Sequence, residues 1–265
     1  LDKIQIIDSM FAHTHSSSWY NKPTNFTWCR EDYGDVVVFT DTSLNTVDDI
    51  TKTKKYAWLI ESPLYTKPNY DFIRTNFNKF DSVFTFDKEL LNLSPKFRFL
   101  PIGGCWINKE DRAIHDKNKL LSIIASRKQE LPGHILRHEI IKKFNNIDVF
   151  GNGYNPIDNK ILALRDYKFS IVVENCKKDY YFTEKLIDCF ITGTIPIYWG
   201  CPSINDFFDS DGIISFDTLE ELKLILNNLN DDLYLNKINS VRKNFELSKK
   251  FLIADDIIYE KIKNG

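Results

Sequence analysis

Apolar residues in the first hundred positions come in short runs separated by longer polar segments, at 4–7, 36–39, 56–60, 82–86 and 97–101. Five such runs predict strands of a parallel, doubly wound sheet. The Gly103-Gly104 pair and the charged stretch 109–119 then read as a linker. A second series of runs follows at 120–125, 147–150, 168–173, 194–199 and 213–216. From Leu219 onward the pattern turns helical, over 219–229 and through a charged stretch at 233–251. The expected organisation is two α/β halves of similar size with a cleft between them, 1–108 and 109–265, the terminal helices belonging to the second.

The densest pattern lies between Tyr167 and Pro202. Residues 167–173 form an apolar run ended by Glu174 and Asn175, as expected for a strand covered on both faces. Leu186, Ile187, Cys189, Phe190 and Ile191 then recur at helical spacing, with Thr183 as N-cap and Gly193 as C-terminal stop. Ligands of open α/β sheets gather beyond the carboxyl ends of strands, and helix N-termini offer free N–H groups to phosphate. Asn175, Tyr181, Glu184 and Lys185 are therefore expected to line a pocket.

Composition narrows the partners. With 35 basic and 37 acidic residues there is no charge excess to hold a polyanion, which disfavours nucleic acid. No segment approaches the roughly 20 apolar residues that cross a bilayer, so membrane contact is expected only through a segment outside this sequence. The chain begins at Leu1 without methionine or signal peptide, as a trimmed chain would. Five scattered cysteines, with no C-x-x-C pair or zinc spacing, read as reduced and structural. The sequons at Asn25 and Asn92 matter only in a secreted protein. No G-x-x-x-x-G-K-[ST] loop and no G-x-G-x-x-G after the first strand is present, which argues against a P-loop NTPase and an ordinary NAD enzyme.

Several motifs then converge. Glu174-Asn175-Cys176, Tyr180-Tyr181-Phe182-Thr183-Glu184-Lys185 and Gly193-Thr194-Ile195-Pro196-Ile197-Tyr198-Trp199-Gly200 resemble, without a gap, the hallmark of the α1,3/4-fucosyltransferases, glycosyltransferase family 10. Upstream, 147–153, Tyr167-Lys168-Phe169 and Glu61-Ser62-Pro63 are similar to other elements of that family. The resemblance runs from about residue 35 to 216 and is strongest after 147. Cys176 replaces the usual Ser or Thr and Tyr180 the usual Asp, while 10–28 matches nothing in the pattern.

The resemblance implies a GT-B arrangement of two Rossmann-like domains and inverting transfer of fucose from GDP-fucose to a hydroxyl of a GlcNAc- or Glc-containing glycan, with an α1,3-type linkage. It implies no obligatory metal or other cofactor; the partners are a nucleotide sugar and an oligosaccharide acceptor. Location would follow the source: cytoplasm or the cytoplasmic face of a membrane in a microbe or virus, Golgi lumen in a eukaryote. Such chemistry needs a base, positive charge for the departing pyrophosphate and a hold on the nucleotide. Glu61 is the implied base, with Lys185 and Arg137 for the leaving group. Arg127 and Lys128 compete with Arg137 for that task. Glu174, Asn175, Tyr181 and Glu184 are the implied nucleotide contacts.

By residue type alone each has a plainer reading: a solvated loop carboxylate, solvated helix cations, a capping Glu, a turn Asn and a core Tyr. Two other functions stay open, transfer from a different sugar nucleotide and a binding module without turnover. Asp209-Ser210-Asp211 spells a D-x-D pair but falls in a turn. His134 and His138, four apart on an expected helix, have no third ligand nearby, and a capping or exposed role is expected. His13 and His15 lie in the loop after the first strand and read as surface histidines.

Overall fold

Each apolar run is a strand in the computed structural model, which describes residues 1–8, 10, 11, 14–19 and 21–264. His13 lies outside the described residues, and His15 is exposed. The first sheet holds β1 (Asp2–Ile7), β2 (Phe26–Cys29), β3 (Val36–Thr40), β4 (Lys54–Trp58), β5 (Ser82–Thr85) and β6 (Phe97–Phe99), in the order β2-β1-β3-β4-β5-β6. Every pairing is parallel. The second holds β7 (Lys119–Ile124), β8 (Asp148–Phe150), β9 (Tyr167–Val173), β10 (Ile195–Trp199) and β11 (Ile214–Ser215), in the order β11-β10-β9-β7-β8, again parallel throughout. In both sheets the first strand lies between the second and the third, so the winding reverses between β1 and β3 and between β7 and β9. These are topological switch points, where ligands bind in folds of this kind.

The strand the sequence did not announce is β2. Only Phe26 and Trp28 alternate inward over its four residues, too short a period-2 signal to stand out. By contrast β9 is buried at all seven positions, which is why it reads as an unbroken apolar run.

Eight helices are described: α1 (Lys67–Asn76), α2 (Lys88–Leu91), α3 (Pro132–Lys143), α4 (Glu184–Phe190), α5 (Leu219–Asn227), α6 (Asp231–Asn236), α7 (Ile238–Ser248) and α8 (Ala254–Lys263). None is long and apolar enough to cross a membrane. The chain divides into two compact units, Leu1–Gly104 with Asp179–Tyr181 and Ile253–Gly265, and Cys105–Lys178 with Phe182–Leu252.

Apart from Asp179–Tyr181, which join the first unit, this differs from the expected division at 108 in two ways. The break falls at Gly104, which with Gly103 adopts positive φ (+92° and +52°), so residues 105–108 join the charged stretch in the second unit. It is no free linker: Lys117 Nζ donates to the carbonyls of Leu164, Arg165 and Thr192 and to Thr194 Oγ1, all within 2.8–3.0 Å. The last helix, α8, belongs to the first unit, although it follows the helices of the second in the chain. Its Ala254 and Ile258 pack into the core of Ile4, Ile6, Phe26, Trp28 and Trp58, and Tyr259 stacks on Phe26 at 4.9 Å. Asp255, fully buried, accepts from Trp28 Nε1 at 2.6 Å and from Ser17 Oγ at 2.5 Å.

Asp255→Ala leaves those buried donors unpaired, and a loss of about 1–3 kcal/mol is expected. Urea unfolding should show a lower midpoint with an unchanged slope.

Candidate functional site

In the second unit a cavity of about 220 Å³ opens at the carboxyl ends of β7 and β9. Ile124, Ala125 and Ser126 form one wall as β7 ends, Ser170 to Val173 of β9 a second, and Glu184, Lys185, Asp188 and Cys189 of α4 a third. Gly151 and Asn152 after β8, together with Trp106, Lys160 and Arg137, complete it. The loop from β8 approaches closely because Gly151 has φ +111° and no side chain; a Cβ there would lie 2.1 Å from the Ala125 carbonyl oxygen.

The wall formed by α4 is set by Glu174, the first residue after β9. Its carboxyl group is fully buried and accepts from Thr183 N at 2.8 Å and Thr183 Oγ1 at 2.7 Å. Thr183 is the N-cap of α4, its Oγ1 in turn accepting from Lys185 N. Two glycines permit this burial. A Cβ on Gly133, at the start of α3, would lie 1.7 Å from the Glu174 carbonyl oxygen, and one on Gly200 would lie 2.6 Å from Glu174 Cγ. Burial raises the proton affinity of Glu174, against the pull of Lys185 at 3.7 Å. Glu174 thus anchors the helix, and its carboxyl group is not among those that line the cavity.

Beyond that anchor lies a compact set of charges. Lys160 Nζ is 3.2 Å from Glu184 Oε1 and 3.1 Å from Asp188 Oδ2, and sits over the Trp106 ring at 4.0 Å. Asp188 is nearly sealed from solvent and accepts from Trp106 N at 2.7 Å. Lys185 Nζ approaches Glu184 Oε1 at 3.4 Å. Burial works against the Glu184 anion, but Lys185 and Lys160 together bring its carboxyl down to about 2. For Asp188 burial dominates and the carboxyl shifts upward despite Lys160. Because α4 has only seven residues, its dipole adds little to the charge of these two ammonium groups.

Arg137 is brought to the cavity by α3, with Nε 3.1 Å and Nη2 2.5 Å from the Val173 carbonyl oxygen. Asn175, half-buried, lies behind it, its Oδ1 accepting from Arg137 Nη2 at 3.1 Å, and supports the guanidinium without lining the cavity. Arg127 and Lys128 are exposed in the loop after β7 and do not line the cavity either; the Arg127 stem lies against Gly153. Tyr181 falls in the first unit, nearly sealed, with its ring 5.0 Å from that of Phe86. Its plainer reading as a core aromatic fits that burial. Of the expected residues, the cavity gathers Arg137, Glu184 and Lys185. It adds Lys160, Asp188 and Trp106, which the sequence did not single out; the only signal was a lysine and a tryptophan in otherwise aliphatic and polar stretches.

Glu61 lies in the first unit, half-buried, just after β4. Its N–H donates to Asp41 Oδ1 at 3.3 Å, and its carbonyl accepts from Tyr70 OH at 2.8 Å. Asp41 follows β3 with a positive φ of +33° and no exposed surface, and its Oδ2 accepts from Ile60 N at 3.0 Å. Burial, opposed by those two N–H groups and reinforced by Glu61 and Asp8, pushes its carboxyl up to about 8.

The D-x-D pair is occupied otherwise. Asp209 caps a short 3-10 turn through Asp211 N at 3.1 Å and pairs with Lys243 at 2.8 Å. His134 is a buried residue of the α3 start, its Nδ1 accepting from Leu131 N, and His138 contacts Tyr154 OH and the Lys128 carbonyl. Among the described residues no three His, Cys, Asp or Glu side chains group as metal ligands.

Replacing Lys160 with Met strands the buried Asp188 and the half-buried Glu184, and a loss of about 3–5 kcal/mol at pH 7 is expected. Glu184, held low in the folded chain, contributes stability that is complete above its unfolded value of 4.5 and lost as pH falls toward 2. Without Lys160 the acids take up protons at higher pH and the strain is relieved. The variant's deficit, measured by urea titration, should therefore shrink between pH 7 and pH 4.

Comparison with known proteins places this geometry. The sequence model of "Glycosyltransferase family 10 (fucosyltransferase) C-term" matches residues 114–259. An α-(1,3)-fucosyltransferase of Helicobacter pylori is 36% identical over 99 residues, 34% of this chain and 20% of that protein. An α-(1,4)-fucosyltransferase of Arabidopsis thaliana is 33% identical over 78 residues, 28% of this chain and 20% of that one. The chain thus spans about a fifth of the length of these curated relatives. A solved α1,3-fucosyltransferase with GDP superposes with a TM-score of 0.57 at 18% identity, covering 96% of this chain and 93% of that one. The same enzyme type with GDP-fucose gives 0.57 at 20% identity, covering 89% and 80%. The shared fold is GT-B, built of two Rossmann-like units. With more than half of its residues inside that family's conserved region, the chain belongs to glycosyltransferase family 10, the fucosyltransferases.

Proposed function

We propose that the protein transfers fucose from GDP-fucose to a hydroxyl of a GlcNAc- or Glc-containing glycan, with inversion, an α1,3-type linkage and no required metal. The observation that carries this reading is the cavity at the β7/β9 switch point, where Lys185, Arg137 and the Lys160–Glu184 pair converge within the family's own segment. Support for the donor comes from relatives solved with GDP and with GDP-fucose.

In this reading the GDP moiety occupies the cavity. Arg137, held at Nε and Nη2 by Val173 and Asn175, brings its guanidinium charge and Lys185 a compact ammonium to the pyrophosphate, and both act most strongly as negative charge builds on the departing oxygen. Glu184, ionised through Lys160 and Lys185, accepts from ribose hydroxyls. The acceptor hydroxyl attacks the anomeric carbon as its proton passes to Glu61, the sugar–phosphate bond breaks, and GDP leaves with the bonding pair. Lys185 and the Arg137 guanidinium take the role of neutralising charge that a divalent cation plays in other nucleotide-sugar enzymes, while Lys160 is paired with Glu184 and Asp188. Asn175 and Glu174 serve by holding Arg137 and α4 in place.

Calorimetric titration with GDP and with UDP, with EDTA present, tests the donor class. Tight binding of GDP alone is expected; preference for UDP would point to a different donor on the same fold. Glu61→Gln should lower turnover by about 10²–10⁴-fold while GDP affinity stays unchanged. Retained turnover would remove Glu61 from the role of base.

A further inference from the structure

At the carboxyl edge of the first sheet, Asp41 has no part in the reaction outlined above, yet its geometry is costly. It is fully buried, its backbone sits at φ +33°, and both carboxyl oxygens are committed to backbone N–H groups of another strand's exit, Ile60 at 3.0 Å and Glu61 at 3.3 Å. A non-glycine residue in this left-handed region is strained and persists only where its surroundings over-determine it. Those surroundings are present. Thr40 Oγ1 donates to the buried Asp8 carboxylate at 2.7 Å, Thr40 N donates to Ser43 Oγ at 3.0 Å, and Ser43 Oγ donates to Ile7 O at 2.5 Å. The ends of β1 and β3 are thereby tied together directly beneath Asp41. On the other side, Tyr70 OH holds the Glu61 carbonyl at 2.8 Å. The backbone of Glu61 is clamped at its N–H by Asp41 and at its C=O by Tyr70, while its side chain stays half-exposed.

We propose that Asp41 is the positioning residue of this enzyme's base: its buried carboxyl, carried on a strained backbone, fixes the peptide groups of residues 60 and 61 and so aims the Glu61 carboxylate. The inference rests on the reading of Glu61 as the base. Aiming matters because a displacement of about 1 Å can cost on the order of 100-fold in rate. It also explains why the strand exit is not left to loop flexibility. An acid supplies two acceptors where an amide supplies one, so Asn at this position keeps half the clamp.

The test compares Asp41→Ala, Asp41→Asn and Glu61→Gln with wild type, using GDP-fucose and N-acetyllactosamine. Val47→Ala, a buried change on the same 3-10 turn (Asp41–Asp49), serves as the control for lost stability alone. Asp41→Ala should lower kcat by about 10- to 100-fold, with Asp41→Asn in between, while the donor KM and the GDP dissociation constant hold. By NMR hydrogen exchange, the Ile60 and Glu61 amides should lose about tenfold or more of their protection while Ala57 and Val83 keep theirs. Full kcat in Asp41→Ala, or an equal fall in Val47→Ala, overturns the positioning role; if the Ala variant does not fold, Asp41→Asn carries the same comparison. Glu61→Gln separates the two failures. Should it stay active, the base assignment falls and this inference with it; should it be inactive while Asp41→Ala is fully active, only the inference falls.

Discussion

A single carboxyl group sealed inside the second unit governs where its polar chemistry stands. Glu174 ends β9, its N–H donates to the Trp199 carbonyl at 2.9 Å, and its side chain receives both donors of Thr183. Through these bonds the end of the central strand, its neighbour β10 and the first turn of α4 are joined at one point. An acid buried this completely is unfavourable unless its lone pairs are satisfied, so the arrangement tolerates little substitution. Gly133 and Gly200 are its necessary companions, since any side chain at either would occupy the space the carboxylate and its carbonyl need. The direction of Glu184 and Lys185 follows from this joint more than from the helix they begin.

The charges around the cavity are arranged in alternation, with Lys160 between Glu184 and Asp188, and Lys185 between Glu184 and Glu174. Pairs of this kind add little net stability because desolvation offsets attraction, but they hold their members in one geometry. In the proposed reading an incoming diphosphate would meet cations whose positions are already set, with less reorganisation left when charge develops. The Trp106 ring meets the Lys160 ammonium group with its face, adding a cation–π contact to the two carboxylate partners.

Much of this was legible in order of appearance along the chain. Thr183 as N-cap, Gly193 as stop with φ +74° and the all-buried β9 each leave a local signature that one residue's neighbours are enough to read. Lys160 and Asp41 leave none. Lys160 acquires its role from residues 24 and 28 positions away, and Asp41 from residues 19 and 20 positions away. A polar residue in a connecting segment is expected at the surface, and only tertiary structure shows that these two are enclosed. Glu174 and Tyr181 lie in the family's segment with their side chains turned inward, a burial that spacing alone does not announce. The misplaced boundary has a similar origin, since α8 continues a helical pattern without any sign that its apolar face belongs to the first sheet.

That return of α8 has a consequence for how the chain is made. The Trp28 indole meets its acceptor, Asp255, across 227 residues, and the core of the first unit takes Ala254 and Ile258 from the same distant helix. During synthesis the second unit has its full complement of residues before the first does, even though the first begins to emerge earlier. A partly built sheet with unfilled apolar surface must wait for its last helix, a long-range closure of the kind that slows folding and exposes a chain to aggregation. The N-terminal half of this chain is thus the late-completing one, waiting on residues 254–258 for its core.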